Sequence, residues 1–528
     1  MKPALDLILA ALPVVLLVFL MTKKRSMSSN RALPLAAVVL YVILLAYFEV
    51  KAVLVHAAVV EGLLTALTPI LIVWGAILLF KTMEHSGAMA TVRQWLNGIT
   101  TNRVAQLMIV GWAFSFLVEG VSGFGTPAAL AAPLLVGLGF TPLPVAVLCL
   151  MMNTVPVSFG AVGMPTWFGF EGLKLTPEEV RAVGFKSAVM HAGAALVIPL
   201  LALRVVVSAR QIWENLGYIA LVIGATMGPS VAVAPFNVDF PSITGGICGL
   251  AAAVGLARHG IGLEHAETVP RAEKIAPGNL RKASFPLWAT VLILIVTRLE
   301  VLGLKAWLTA SAPALNLPLS ALGELRISAS MVVQWRHIFG TELSWSHALL
   351  YVPSVIPFFL VSALTFALYR LPAAAMLAAG QQSFRQVLKP IGAFFGALVL
   401  VKLLMVGGEH SCAAILGHGL ARIGGDVWQF AAVYLGALGS FFSGSNTVSN
   451  LTFGGIQDTT ATTLGLSRTT ILALQSVGGA MGNMVCIHNI VAVCSILGLH
   501  NEEGQILRKN FRPVLLYGAI AGVISLFL

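Results

Sequence analysis

Charge is scarce in this sequence. Asp, Glu, Lys and Arg together make up 10% of its 528 residues, and only 21 residues are acidic. A soluble chain of this size carries about a quarter charged residues, so most of this surface cannot face water and a soluble globular protein is excluded. Long polar stretches are missing too, which leaves no room for a soluble signalling domain and argues against a channel or sensor built around one. The five cysteines (Cys149, Cys248, Cys412, Cys486 and Cys494) lie in apolar stretches without a Cys-x-x-Cys pair. They read as small core residues, with neither a disulfide framework nor a metal site. There is no His-Glu-x-x-His, no Gly-x-Ser-x-Gly and no paired catalytic carboxylates at helical spacing. An intramembrane enzyme is therefore the distant reading, and no cofactor is expected.

What is present is apolar: 58% of the residues are hydrophobic. A membrane helix needs about 20 mostly apolar residues, and segments that qualify or nearly do so recur from residue 4 to the end of the sequence. The expected fold is an all-α polytopic membrane protein of about 12–14 transmembrane helices, some of them broken or re-entrant. The even hydropathy predicts one membrane domain in two halves, residues 1–257 and 285–528, joined by a polar cytoplasmic linker at 258–284. The 32 basic residues give a net charge of +11 and sit in short loops, where they mark the cytoplasmic side and not a nucleic-acid surface. Lys23, Lys24, Arg25 and Arg31 follow the first apolar run, 4–20, instead of preceding it. That run reads as a retained helix and not a signal peptide, and it places the N-terminus outside. Arg508, Lys509 and Arg512 before the last span place the C-terminus outside as well. The weakly hydrophobic segment 308–345 is expected to be an external loop, partly helical.

Two apolar helices stop early at polar breaks. The first is Glu119-Gly-Val-Ser-Gly123-Phe124-Gly125-Thr126-Pro127, and the second is Ser443-Gly444-Ser445-Asn446-Thr447-Val-Ser-Asn450. Each leads into a short apolar run, a turn with Gly, and a longer helix with a polar kink. Gly160-Ala-Val-Gly-Met-Pro165 is echoed by Gly479-Ala-Met-Gly-Asn-Met484. Unwound backbone survives at membrane depth only against protein or a watered cavity. A helix that starts there presents unpaired N–H groups and the positive end of its dipole, which together form an anion site. Paired Gly/Pro-interrupted segments in two halves point to a transporter site; the plainer reading is close helix packing through small residues.

Ionisable residues at membrane depth are functional candidates by default. Glu119 ends a helix beside the first break, on one face with Trp112 and Ser115 by spacing. It suits a proton carrier, or else caps a helix start. Arg298, inside the 287–304 span, can grip a carboxylate with two hydrogen bonds, pair with Glu300 or snorkel. Asp239 is a second proton-site candidate or an ordinary helix cap. Lys402 snorkels, pairs with Glu409 or replaces a site residue. His191, His410 and His488 stand alone and read as packed or hydrogen-bonded. Asn153, Thr154, Asn446, Asn450 and Gln475 suit a substrate hydroxyl or carbonyl, or serve as glue between helices.

At these residues the chain resembles the L-lactate permease family. The first signature runs through Glu119-Gly-Val-Ser-Gly-Phe-Gly-Thr-Pro127, Ala131-Ala-Pro-Leu-Leu-Val-Gly-Leu-Gly139 and Asn153-Thr-Val-Pro-Val-Ser-Phe-Gly160. Phe240-Pro-Ser-Ile-Thr-Gly-Gly246 is similar to the central segment. Gly439-Ser-Phe-Phe-Ser-Gly-Ser-Asn-Thr-Val-Ser-Asn450 and Gly478-Gly-Ala-Met-Gly482 resemble the second signature. The resemblance covers almost the whole chain. It implies symport of protons with L-lactate and related small monocarboxylates (glycolate, D-lactate) in the bacterial inner membrane. It also implies inverted repeats with hairpin-like broken helices, and a transport site at Glu119 and the two breaks. The nearest alternative is a transporter or exchanger of another small anion on the same scaffold. For Arg298, Asp239, Lys402, Glu409, His410 and His488 the resemblance implies no role.

Overall fold

The structure, a computed structural model, describes residues 2–22, 27, 29–123, 126–264, 277–298, 302–352, 355–499 and 502–528. Most of the chain is helical, as the apolar runs require: with no water to meet N–H and C=O groups in lipid, the backbone must bond to itself. Among the described residues, four helices are long and apolar enough to cross a membrane: Ala52–His85, Arg103–Val121, Pro177–Val206 and Leu216–Val233. Two bent pairs raise this to six if each is one span. Pro142–Met152 and Val157–Leu173 meet at 60°, and Ala373–Leu388 and Ile391–Met405 at 42°. Pro156 and Pro390, which lack an N–H to continue the ladder, stand at these bends. The further apolar segments form shorter helices, among them Pro3–Leu17, Asn30–Ala46, Val355–Tyr369 and Cys412–Gly424, and the expected 12–14 crossings count these as well.

By contacts the chain separates into two compact units, each built from two stretches: Met1–Val92 with Ala276–Leu416, and Arg93–Ile275 with Gly417–Leu528. This partition by contact differs from the halves 1–257 and 285–528 expected from the sequence. Residues 265–276 of the expected linker lie outside the described residues, and its end is already helical, within Pro277–Arg298.

In the first unit, the helix Ala373–Met405 packs against Ser29–Ala46, Leu67–His85 and Ala52–Thr65. The approach is close: a Cβ on Gly62 would lie 2.8 Å from the Val399 backbone, so only glycine fits. One turn away, Lys402 Nζ meets Glu61 Oε1 at 2.5 Å. The sequence leaves Lys402 to snorkel, pair with Glu409 or replace a site residue; in the structure it pairs with Glu61, on the helix that Gly62 brings alongside.

The segment expected to be a partly helical loop starts at the end of a short helix, Leu304–Leu308, and carries two 3₁₀ turns, Ser320–Leu322 and Ile338–Gly340, within a four-stranded antiparallel sheet. Its strands are Ala314–Pro318, Glu324–Ser328, Val332–Arg336 and Trp345–Ala348. The pairing aligns Leu317, Leu325, Trp335 and Trp345 across all four strands, and Asn316, Arg326, Gln334 and Ser346 on the opposite face. This is the period-2 alternation of a half-buried sheet. His347, on the apolar face, bonds Thr68 of the Leu67–His85 helix through Nδ1 and Oγ1 at 2.9 Å.

In the second unit, Arg103–Val121 is the most enclosed span, 89% buried by protein. A helical hairpin of Asn446–Leu464 and Arg468–Gly482, turned at Gly465, packs against Trp428–Ser443. Arg468 ties the base of this hairpin to neighbouring chain. It pairs with Asp458 and, at 3.0 Å, with Glu179, and it donates to the Leu173 carbonyl.

Candidate functional site

The second unit brings the two sequence breaks together. At the first, the helix Ser115–Ser122 ends on Gly123 at φ 63°, ψ −158°, and a new helix, Thr126–Gly137, begins. Phe124 and Gly125 lie outside the described residues, as does the side chain of Thr126. Upstream, Leu107–Phe114 is a π-helix whose wider turn holds Trp112, while Ser115 and Glu119 lie four residues apart on the α-helix Ser115–Ser122. Trp112 Nε1 donates to Thr226 Oγ1 at 3.0 Å, and Ser115 Oγ donates five residues back to the Val110 carbonyl. Glu119 is left to face a different neighbour. Its Oε2 accepts from Asn153 Nδ2 at 3.2 Å, and its carboxylate packs against Gly160, where a Cβ would lie 2.5 Å from Oε1.

Gly160 sits in an unusual stretch of backbone. After Pro156, a short 3₁₀ turn, Val157–Phe159, leads to Ala161, Val162 and Gly163, all left-handed at φ 45°, 61° and 70°. A β-branched residue there is an outlier, and such strain persists only where the surroundings enforce it. Here Trp167 Nε1 donates to the Val162 carbonyl at 2.9 Å and Thr166 Oγ1 donates to the Ser158 carbonyl at 2.7 Å.

At the second break, Trp428–Ser443 ends on Gly444 at φ 73°, and Ser445 caps the next helix by accepting from the Val448 amide. The amides of Asn446 and Thr447, at the first turn of that helix, have no intrahelical carbonyl to meet and lie at its positive end.

Glu119, Gly123, Asn153, Gly444, Ser445, Asn446 and Thr447 line one pocket, with Val157, Gly160, Ala161, Met164, Pro165 and Asn483. The second group also falls on stretches the sequence marked, though not residue by residue: Gly160, Ala161, Met164 and Pro165 in the first Gly-Ala-x-Gly stretch, Asn483 in its echo and Val157 in the segment Asn153–Gly160. Asn153 Oδ1 and Asn446 Oδ1 are buried and find no hydrogen-bond partner among the described residues. The pocket thus combines one acid, two carboxamides with an unused acceptor, and a helix start that offers backbone donors. Such a set binds a small anion that also carries a donor of its own.

Other candidates lie elsewhere. Thr154 Oγ1 bonds the Met151 carbonyl on its own helix, and Ser443 Oγ bonds Gly439. Asn450 Nδ2 donates to the Pro165 carbonyl at 2.9 Å, bracing the pocket wall from behind. Gln475 bonds Ser449 and Gln457 inside the hairpin. The Asp239 amide closes on Asn237 Oδ1, a local turn, and Asp239 does not line the pocket. Arg298 ends the Pro277–Arg298 helix in the first unit, and its side chain lies outside the described residues, as do those of Glu409 and His488. His410 is exposed. Among the described residues there is no group of three or more His, Cys, Asp or Glu that could hold a metal.

The family model described as L-lactate permease matches residues 6–528. A protein of Haemophilus influenzae, assigned as an L-lactate permease, is 46% identical over 524 residues, 99% of this chain and 98% of its own length. The L-lactate permease of Escherichia coli K12 is 28% identical over 99% of this chain and 95% of its own length. The glycolate permease GlcA of the same organism is 26% identical over 91% and 88%. Among solved structures, MtrF of Neisseria gonorrhoeae aligns over 96% of both chains at 13% identity with a TM-score of 0.45. The YdaH transporter of Alcanivorax borkumensis aligns over 98% of both at 15% identity with a TM-score of 0.43.

Proposed function

The chain belongs to the L-lactate permease family, a multi-pass membrane permease by that membership, and on that premise we propose that it symports L-lactate with protons across the bacterial inner membrane. Glycolate and D-lactate are the related small monocarboxylates that the same site takes. The observation that carries the reading is the single pocket joining Glu119 and Asn153 to the helix start at Asn446 and Thr447.

The cycle follows from that set of groups. With the pocket open to the outside, Glu119 takes a proton. The substrate carboxylate then docks on the amides of Asn446 and Thr447, at the positive end of the helix. The Asn153 and Asn446 carboxamides meet the substrate hydroxyl, since each has an acceptor to spare. Coupling arises because the loaded, neutralised site crosses more readily than a half-loaded one, which would leave an unpaired charge at membrane depth. The two breaks belong to inverted repeats, the basic loops face the cytoplasm and both termini lie outside.

The test is radiolabelled L-lactate uptake into proteoliposomes, with and without an inward proton gradient, for the wild type and Glu119→Gln. Gradient-driven accumulation in the wild type, lost in the variant while counterflow persists, supports coupling through Glu119. Equal accumulation in both makes Glu119 structural and turns attention to Asp239. Absence of any lactate uptake by folded wild-type protein overturns the substrate reading in favour of another small anion.

A further inference from the structure

Behind the pocket wall lies a buried polar cluster that the transport cycle above does not use. His191, on the helix Pro177–Ala195, is fully buried, and both of its ring nitrogens are engaged. Nδ1 lies 2.6 Å from Tyr517 Oη and Nε2 lies 2.8 Å from Ser158 Oγ. Phe159 and Tyr517 pack edge-on against the ring at 6.4 and 6.0 Å between centroids. Ser158 is the hub. Besides His191, its Oγ is within 3.0 Å of the Ser476 hydroxyl, 3.2 Å of the Ser476 carbonyl and 3.5 Å of Asn446 Nδ2. Only Asn446 of these groups reaches the pocket.

We infer that His191 is a positioning residue for that pocket: by accepting the proton of Ser158 it frees both Ser158 lone pairs, one of which holds the carboxamide of Asn446 at the substrate site. This rests on the reading of the pocket as the lactate site.

The argument is a count of donors and acceptors. A serine hydroxyl has one proton and two lone pairs. The Ser476 hydroxyl and the Asn446 amide both donate, and together they fill the two lone pairs. The Ser158 proton then has two acceptors to choose from, and His191 Nε2 is the nearer. With Nε2 accepting, the ring proton sits on Nδ1 and donates to Tyr517 Oη. The contacts to His191, the Ser476 hydroxyl, Asn446 and Tyr517 then each pair one donor with one acceptor, and the Ser476 carbonyl at 3.2 Å is left as the second, more distant acceptor. If Nε2 carried the proton instead, His191, Ser476 and Asn446 would compete for two lone pairs. Asn446, the most distant, would be displaced. Nothing else described holds that carboxamide, because Asn446 Oδ1 lies against Gly479, where a side chain would collide, and has no partner among the described residues. The tautomer of His191 therefore decides whether the first residue of the Asn446–Leu464 helix keeps its orientation toward substrate.

The experiment measures L-lactate counterflow in proteoliposomes, resolving KM and Vmax, for the wild type, His191→Phe, His191→Gln, Ser158→Ala and the double variant His191→Phe/Ser158→Ala. His191→Phe and Ser158→Ala are each expected to raise KM about tenfold with Vmax within about twofold, the size of one lost hydrogen bond. The double variant is expected to be no worse than either, and His191→Gln, whose amide oxygen can accept from Ser158, to recover most of the loss. A fall in Vmax at unchanged KM, additive effects, or no rescue by Gln overturns the proposal. If His191→Phe does not fold, Ser158→Ala and His191→Gln still decide. A second measurement does not depend on the substrate: the ¹⁵N spectrum of histidine-labelled protein in nanodiscs, with the His191 signal identified by its loss in His191→Gln. The Nδ1–H tautomer is expected, and an Nε2–H or doubly protonated ring overturns the proposal. Wild-type protein that carries no lactate but shows the Nδ1–H tautomer overturns the substrate assignment while leaving the His191 arrangement standing.

Discussion

Replacing Gly160 with Ala perturbs Glu119 without touching it. Gly160 has φ −64° and ψ 157°, an extended conformation that alanine adopts freely, so the substitution carries no backbone strain and its effect is steric. The added Cβ would lie 2.5 Å from Glu119 Oε1, against 3.4 Å for an ordinary contact, and also 3.3 Å from Cδ and 3.4 Å from Cγ. The carboxylate must therefore retreat by about 0.9 Å, the difference of those two distances. The 3.2 Å hydrogen bond that Glu119 accepts from Asn153 does not survive a displacement of that size in most directions. Losing a buried hydrogen bond while leaving both groups desolvated costs about 1–3 kcal/mol, which in site affinity is roughly 5- to 150-fold. Overpacking adds about 1–3 kcal/mol of lost stability. The assay pairs lactate uptake in proteoliposomes with thermal unfolding of the purified protein. Uptake is expected to fall at least about tenfold in protein that still unfolds cooperatively. Wild-type uptake kinetics in Gly160→Ala would show that the Glu119 carboxylate does not need its present position, and would refute the pocket as the site of coupling.

Two further predictions concern the scaffold. Lys402→Met strands the Glu61 carboxylate between packed helices and is expected to destabilise the protein by about 3–5 kcal/mol; Glu61→Gln together with Lys402→Met should recover most of that in thermal unfolding, and equal losses in the single and double variants would show the ion pair to be idle. Ser445→Ala removes the cap of the Asn446–Leu464 helix and should cost about 1 kcal/mol with a raised lactate KM; an unchanged KM would mean that the first turn of that helix does not bind the substrate.

Scarcity of charge is what made part of the site legible. In a chain with so few acids, Glu119 at the end of an apolar helix stands out, and the Gly- and Ser-rich stretches after it and at 443–450 announce interrupted helices. That Gly123, Asn153 and Asn446 line one pocket with Glu119 is set by the fold. Other parts gave no local signal. Ser158 is one serine in an apolar run, and only the fold shows that His191, Ser476 and Asn446 converge on it. The π-helix before Glu119 holds Trp112, and ordinary helical spacing cannot anticipate an extra residue in a turn. Lys402 finds its counter-charge 341 residues earlier in the chain, a distance over which spacing arguments have no reach. The sheet from Ala314 to Ala348 did carry its signal, in the alternation of Leu315, Leu317, Leu325, Ile327, Val333 and Trp335. Mean hydropathy over that stretch averages the alternation away.

The Glu61–Lys402 pair has a consequence for the order in which the protein is made. Ribosomes add about 5–20 residues per second, so the 341 residues between the two take roughly 20–70 s to translate. During that interval the Ala52–Thr65 segment carries an acid whose cation does not yet exist. The first unit is also split by most of the second in the chain, so its N-terminal helices are synthesised long before the Ala373–Met405 helix that packs against them. The nascent protein must shelter Glu61 in the translocation machinery or at the lipid interface until Lys402 arrives. Truncated chains that end before residue 402 would be expected to be the form that quality-control proteases remove.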